Sequence, residues 1–141
     1  MLDAMKKGIF TILTNEALTS SVYRMTLEGD TSAITAPGQF VNIQLAGKFL
    51  RRPISVCDWE EGKLTLIYKV VGQGTAQMAA MVPGERLDIL TGLGNGYDLS
   101  IVGEAPLLVG GGVGVPPMYG LAKKLRALGK NVQVILGFNT S

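Results

Sequence analysis

Apolar and polar residues alternate through most of residues 8–90, at the period of two that a half-buried β-strand requires. Residues 8–15, with Ile9, Phe10, Ile12 and Leu13, read as a strand rich in β-formers. Residues 17–27 read as a second, with Val22, Tyr23, Met25 and Leu27, closed by the turn signal Glu28-Gly29-Asp30. Pro37-Gly38 opens a third over 37–45, where Val41, Ile43 and Leu45 alternate with Asn42 and Gln44. Residues 49–56 form another. Residues 63–71 set Leu64, Leu66, Tyr68 and Val70 at period two, and 85–90 follow the turn at Pro83-Gly84. One short helix is predicted at 76–81. Six short strands and one small helix predict an antiparallel barrel rather than a helical fold.

The pattern changes after the loop 93–99. Ala105-Pro106-Leu107-Leu108-Val109 is an apolar run that fits a buried parallel strand, and the cluster Gly110-Gly111-Gly112-Val113-Gly114 follows at once. Residues 118–128 have helical spacing, with Met118, Leu121, Ala122, Leu125 and Leu128 on one face and Lys123, Lys124 and Arg126 on the other. Gly129 is placed to stop that helix. Residues 131–138 then read as a second buried strand. Strand, glycine turn, helix and strand make one βαβ unit. The fold class expected is therefore an all-β antiparallel barrel over 1–101 followed by the start of an α/β domain over 102–141. A single βαβ unit cannot cover both faces of a parallel sheet. Either the chain is a fragment of a longer protein, the favoured expectation, or the exposed sheet edge pairs with another chain.

Composition narrows the chemistry. Of 141 residues, 47% are hydrophobic and 17% charged, enough for a packed core, and the net charge of +2 is spread rather than gathered into a nucleic-acid-binding patch. No apolar run reaches the ~18 residues of a membrane span. The N-terminal residues do not have the order of a secretory signal, so a cytoplasmic protein is expected. There is no histidine and one cysteine, Cys57. That removes the commonest general base and the usual hydrolase triad. One cysteine alone supplies neither a disulfide within the chain nor a zinc or iron–sulfur site. The nineteen glycines favour a bound cofactor as the source of chemistry.

Two segments carry the candidate site. Arg52-Pro53-Ile54-Ser55 puts a guanidinium and a hydroxyl on one strand. Gly72-Gln73-Gly74-Thr75 is a glycine turn running into a helix, where backbone N–H groups face an anion. Arg52 is suited to the same phosphate and Ser55 to a polar ring edge. Together they suit a dinucleotide with a pyrophosphate and a flat head group; either alone equally fits a basic strand followed by an ordinary turn. The cluster at Gly110–Gly114 departs from G-x-G-x-x-G, with Val115 in the place of the third glycine, and a tight strand-to-helix turn without a ligand is its other reading.

This order of motifs resembles the ferredoxin–NADP reductase superfamily, whose flavin motif is usually R-x-Y-S; Ile54 stands here in place of the tyrosine. That variant, with Leu93-Gly94-Asn95-Gly96-Tyr97 and Gly112-Val113-Gly114-Val115-Pro116-Pro117-Met118, is more narrowly similar to the electron-transfer subunits of class 1B dihydroorotate dehydrogenases, over essentially the whole chain. The resemblance implies that Arg52, Pro53, Ile54 and Ser55 contact FAD, with Arg52 on phosphate and Ser55 near the isoalloxazine. It implies that Ile67, Tyr68 and Lys69 line the flavin, and that Gly72, Gly74 and Thr75 hold the pyrophosphate. Gly110, Gly111, Gly112 and Gly114 would floor a site for NAD. The implied function is electron transfer in pyrimidine biosynthesis, between FAD and the FMN of a dihydroorotate dehydrogenase catalytic subunit, through a 2Fe–2S cluster, with NAD as the outer acceptor. The family's four cluster cysteines have no counterpart in these residues, and Cys57 does not match them. Absent histidines agree with hydride transfer, which needs positioning more than a side-chain acid. Two other readings stand beside it: the flavin subunit of a related NAD(P)H–ferredoxin oxidoreductase or cytoplasmic hydrogenase, and a non-catalytic docking barrel.

Overall fold

The computed structural model describes residues 5–97, 99–111 and 115–137, with only the backbone of residue 101. Six strands close into an antiparallel barrel: β1 (Lys6–Ala17), β2 (Val22–Glu28), β3 (Phe40–Gln44), β4 (Arg52–Glu60), β5 (Lys63–Lys69) and β6 (Arg86–Leu93). Their order around the barrel is β1-β2-β5-β4-β3-β6. Alternation decides what fills it. Phe10 and Ile12, Met25 and Leu27, Val41 and Ile43, Val56, Leu64 and Leu66, and Leu87 and Ile89 all point inward and are buried. A short helix, α1 (Gln73–Ala79), plugs one end with Met78, which joins the same core.

The strands sit where the pattern put them, with shifted ends. Ala17 belongs to β1, and β2 starts only at Val22, because the Leu18 and Thr19 amides turn back to the Val22 carbonyl. Residues 49–51 are not strand; Phe49 is 100% exposed and β4 runs on to Glu60. Helix α1 begins at Gln73 rather than 76. The Thr75 hydroxyl accepts the Val71 and Gly72 amides at 2.8 and 3.2 Å and so fastens the turn that starts the helix.

Beyond the barrel, a 3₁₀ turn (Leu99–Ile101) leads to β7 (Leu107–Gly111), α2 (Val115–Ala127) and β8 (Gln133–Gly137). β7 and β8 pair in parallel, Leu107 opposite Gln133 through Gly111 opposite Gly137. Helix α2 buries Met118, Leu121 and Leu125 against Leu108. It starts before residue 118, with Pro116 and Pro117 in the first turn, where a missing N–H costs nothing. It ends as expected. Gly129 has φ +82°, its amide reaches Arg126 O, and the Lys130 amide reaches Leu125 O, the paired bonds of a Schellman stop. Two expectations fail here. Gly110 and Gly111 are strand residues rather than part of the turn, because each pairs across to β8. β8 is not buried: all five of its residues are exposed, since α2 packs on Leu108 of β7 and leaves both faces of β8 uncovered among the described residues.

Candidate cofactor site

The twin arginines at the head of β4 do different work. Arg51 turns onto the barrel wall. Its Nη2 donates to Asp88 Oδ1 at 2.9 Å and to Gln44 Oε1 at 3.1 Å, and its Nη1 donates to the Asp88 and Asn42 carbonyls at 3.1 and 3.3 Å. Arg52 donates to the Leu50 carbonyl at 3.2 Å and lies across the first turn of α1. A Cβ placed on Gly74 would collide with Arg52 Nε and stand 3.0 Å from its Cδ and 3.1 Å from its Cγ. The two motifs, separate in sequence, are thus one cradle. The arginine rests on the helix start because residue 74 has no side chain.

The backbone N–H groups of that first turn have no acceptor one turn earlier, and the turn carries no acidic side chain. A guanidinium and unpaired amides converging at one helix end are what a phosphate needs. Thr75 is 7% exposed, and its hydroxyl also donates to Gly72 O at 3.2 Å, so it shapes the turn from inside. The loop 46–50 is pinned to the helix from outside: Lys48 Nζ donates to Gln73 Oε1 at 3.0 Å, and Gln77 Nε2 to Ala46 O at 3.0 Å.

Alternation divides the remaining candidates between two faces of the sheet. Ile54 pairs with buried Val41 and packs on the core, while Ser55 pairs with Phe40 and Pro53 with Asn42 on the outer side. On β5, Ile67 and Lys69 lie on the outer side and Tyr68 points inward, 4% exposed. The β4–β5 register ends at the Val56–Leu66 pair, and Ser55 and Ile67 lie just beyond it, each on the outer side of its strand. Pro53, Ser55, Ile67 and Lys69 therefore lie on the outer side of the sheet, while Arg52, opposite buried Ile43, is on the same side of β4 as Ile54. Ile54 and Tyr68 reach the outer side only through their backbone.

Tyr68 has a structural task instead. Its ring stacks on Tyr23 with centroids 5.8 Å apart, and its hydroxyl donates to Asn15 Oδ1 at 2.8 Å. Burial pushes its pKa up to about 12, against the opposing effect of the hydrogen bond to Asn15. Asn15 Nδ2 in turn donates to Met78 O at 2.8 Å and Met81 O at 2.9 Å, closing the C-terminal end of α1. Sequence reasoning missed Asn15, because its partners lie far along the chain and no local pattern marks them.

Gly110 and Gly111 end β7 beside the head of α2, while Gly112 and Gly114 lie outside the described residues. Cys57 is buried in β4, and burial raises its thiol to about 11. Among the described residues no group of three or more His, Cys, Asp or Glu is placed to hold a metal ion. One cysteine in 141 residues does not fit a four-thiolate cluster.

No family model matches the chain. Among curated proteins, the dihydroorotate dehydrogenase B (NAD(+)) electron transfer subunit of Bacillus pumilus is 42% identical over 96% of this chain and 56% of its own length. The chain is a homologue of these electron transfer subunits. It spans about half the length of the curated relatives it matches. Among solved structures, a NADH-dependent reduced ferredoxin–NADP oxidoreductase, described in connection with flavin-based electron bifurcation, superposes with a TM-score of 0.82 at 32% identity, over 94% of this chain and 49% of that one. A ferredoxin NADP+ reductase from Neisseria gonorrhoeae with bound FAD and NADP superposes with a TM-score of 0.76 at 19% identity, over 94% of this chain and 57% of that one, a likeness of fold alone. The barrel followed by an α/β unit is the fold of ferredoxin-reductase-type flavoproteins. No helix among the described residues is long and apolar enough to cross a membrane.

Proposed function

We propose that residues 1–101 bind FAD and that residues 102–141 begin a nicotinamide-nucleotide domain. The chain would thus be part of an electron-transfer subunit that connects NAD with the FMN of a dihydroorotate dehydrogenase catalytic subunit in the cytoplasm. The observation that carries the flavin site is Arg52 lying across Gly74, because it puts a permanent cation over a helix start that stays open to it only while residue 74 has no side chain. Arg52 and the first-turn amides of α1 would hold the pyrophosphate. Gly72 and Thr75 would keep those amides aimed, Thr75 by its bonds to Val71 and Gly72. Pro53, Ser55, Ile67 and Lys69 would form the floor for the ring system, with Ile54 and Tyr68 contributing backbone. Gly110 and Gly111, with Gly112 and Gly114, would let a nicotinamide nucleotide approach the head of α2.

Bound there, FAD would supply the chemistry no side chain here can, exchanging electrons singly on the partner side and as a hydride on the nicotinamide side. The chain's own residues bind, orient and shield. These residues do not supply the thiolates of a 2Fe–2S cluster. The identity to curated dihydroorotate dehydrogenase B subunits favours that partner, and the 32% identity to a ferredoxin–NADP oxidoreductase supports a second reading as a subunit of such an enzyme. Both keep the same flavin cradle. Co-purification with a dihydroorotate dehydrogenase catalytic subunit, followed by dihydroorotate-dependent bleaching of the bound FAD, is the test. Bleaching supports the first reading. Failure of the two proteins to form a complex counts against it.

A further inference from the structure

The second unit meets the barrel at β4, and the approach there is close. A Cβ built on Gly120, in the middle of α2, would stand 2.8 Å from the carbonyl oxygen of Cys57. The obstacle is backbone in a closed barrel, which cannot swing aside as a side chain can, so only glycine admits the helix at this separation. Cys57 is the bulged residue of β4, between the Val56–Leu66 and Asp58–Thr65 pairs. A bulge takes its residue out of the ladder and bends the strand locally. Along the same face of α2, Lys123 Nζ stands 3.0 and 3.2 Å from the two carboxylate oxygens of Asp58. Gly120 and Lys123 are helix neighbours at i and i+3, and Cys57 and Asp58 are consecutive on the strand.

The position of this contact gives it a consequence. β4 carries Arg52 to Ser55 just before the bulge, and α2 begins at Val115, just after the glycine segment. We propose that Gly120, Lys123 and Asp58 form a clamp that keys α2 to β4 and so fixes the orientation of the α/β unit against the flavin-binding strand. Gly120 sets the separation, and the Lys123–Asp58 pair sets the rotation about it. All three are positioning residues. Their value to electron transfer rests on the flavin reading above, but the clamp is measured without any cofactor.

Cys57 makes the measurement possible. It is the only cysteine, 5% exposed, and outside the barrel-core cluster, so its reaction with a thiol reagent reports α2 lifting from β4. In the full 141-residue chain, Gly120→Ala should label about tenfold faster or more, as expected for a local opening, while circular dichroism is unchanged. Lys123→Glu should label about threefold faster, in keeping with a partly exposed pair, and adding Asp58→Lys should restore the slow rate. Rescue by the swapped pair is something a general loss of stability does not produce. With FAD bound, Gly120→Ala should leave flavin affinity unchanged and raise iodide quenching of flavin fluorescence. Equal labelling in all variants overturns the clamp. If Gly120→Ala does not fold, the charge pair decides alone: no acceleration and no rescue overturn it. Faster labelling with unchanged quenching overturns the positioning role. Failure of the unsubstituted chain to bind FAD overturns the flavin reading, and the labelling rates still decide the clamp.

Discussion

Gly74→Ala separates binding from stability. The new methyl would enter the space held by Arg52 Nε, Cδ and Cγ, and the side chain, which is not fully buried, must leave the helix start. Gly74 is not among the glycines with positive φ, so alanine meets no backbone strain there. Within a helix, Gly to Ala contributes up to about 1 kcal/mol, so the apoprotein should melt at the same temperature or slightly higher. Binding goes the other way. Losing a charge-assisted contact to phosphate costs about 1.5–3 kcal/mol, which raises the FAD dissociation constant about 10- to 100-fold. Titration of the apoprotein by flavin fluorescence reads the affinity, and thermal unfolding of the same sample reads the stability. The cycle with Arg52→Ala is decisive, because once the guanidinium is gone the methyl at 74 displaces nothing and should have little further effect. Unchanged FAD affinity in Gly74→Ala, or full additivity with Arg52→Ala, would refute the cradle.

Arg51→Ala should do the opposite of Arg52→Ala: removal of its bonds to Asp88 and two backbone carbonyls should cost about 2 kcal/mol in urea unfolding and leave FAD affinity unchanged. Thr75→Ala frees the Val71 and Gly72 amides and should weaken both fold and FAD binding by about 1 kcal/mol, roughly fivefold in affinity, read by the same two assays. Alkaline pH should destabilise the protein in two steps. The Cys57 thiol is raised from 9.0 to about 11 and the Tyr68 hydroxyl from 10.0 to about 12, chiefly by burial. Below pH 9 both groups are protonated in folded and unfolded chains alike. Between pH 9 and 12 the unfolded chain loses protons that the folded one keeps, so stability falls with pH. Cys57→Ala should remove the lower part of that fall and Tyr68→Phe the upper, as read from melting temperature against pH.

Much of the barrel is legible in the chain because inward residues such as Leu64, Leu66 and Tyr68 recur at a strict period of two, and closed antiparallel sheets depend on little else. The ends of elements are less legible. What starts α1 at Gln73 is the Gly72 amide donating to the Thr75 hydroxyl, and composition does not show whether that bond forms. β8 misled for a related reason: an apolar run such as Val134-Ile135-Leu136 signals a strand, but exposure depends on which layers are there to cover it. The motif residues were legible as a set and not as roles. Sequence placed Arg52 beside Ser55 and Gly74 beside Thr75, and only the fold lays Arg52 on Gly74, turns Tyr68 inward to Asn15, and uses the Thr75 hydroxyl on its own turn. Asn15 and Gly120 gave no signal, since each acts on partners distant in the chain.

The most direct test of the central claim is the absorption spectrum of the purified chain from roughly 300 to 600 nm, with identification of any cofactor released, followed by titration with FAD if the protein is colourless. The account predicts a flavin spectrum with FAD released, or binding of added FAD that Arg52→Ala weakens about tenfold or more. A colourless, folded protein that fails to take up FAD would contradict it and leave a barrel that only docks a partner.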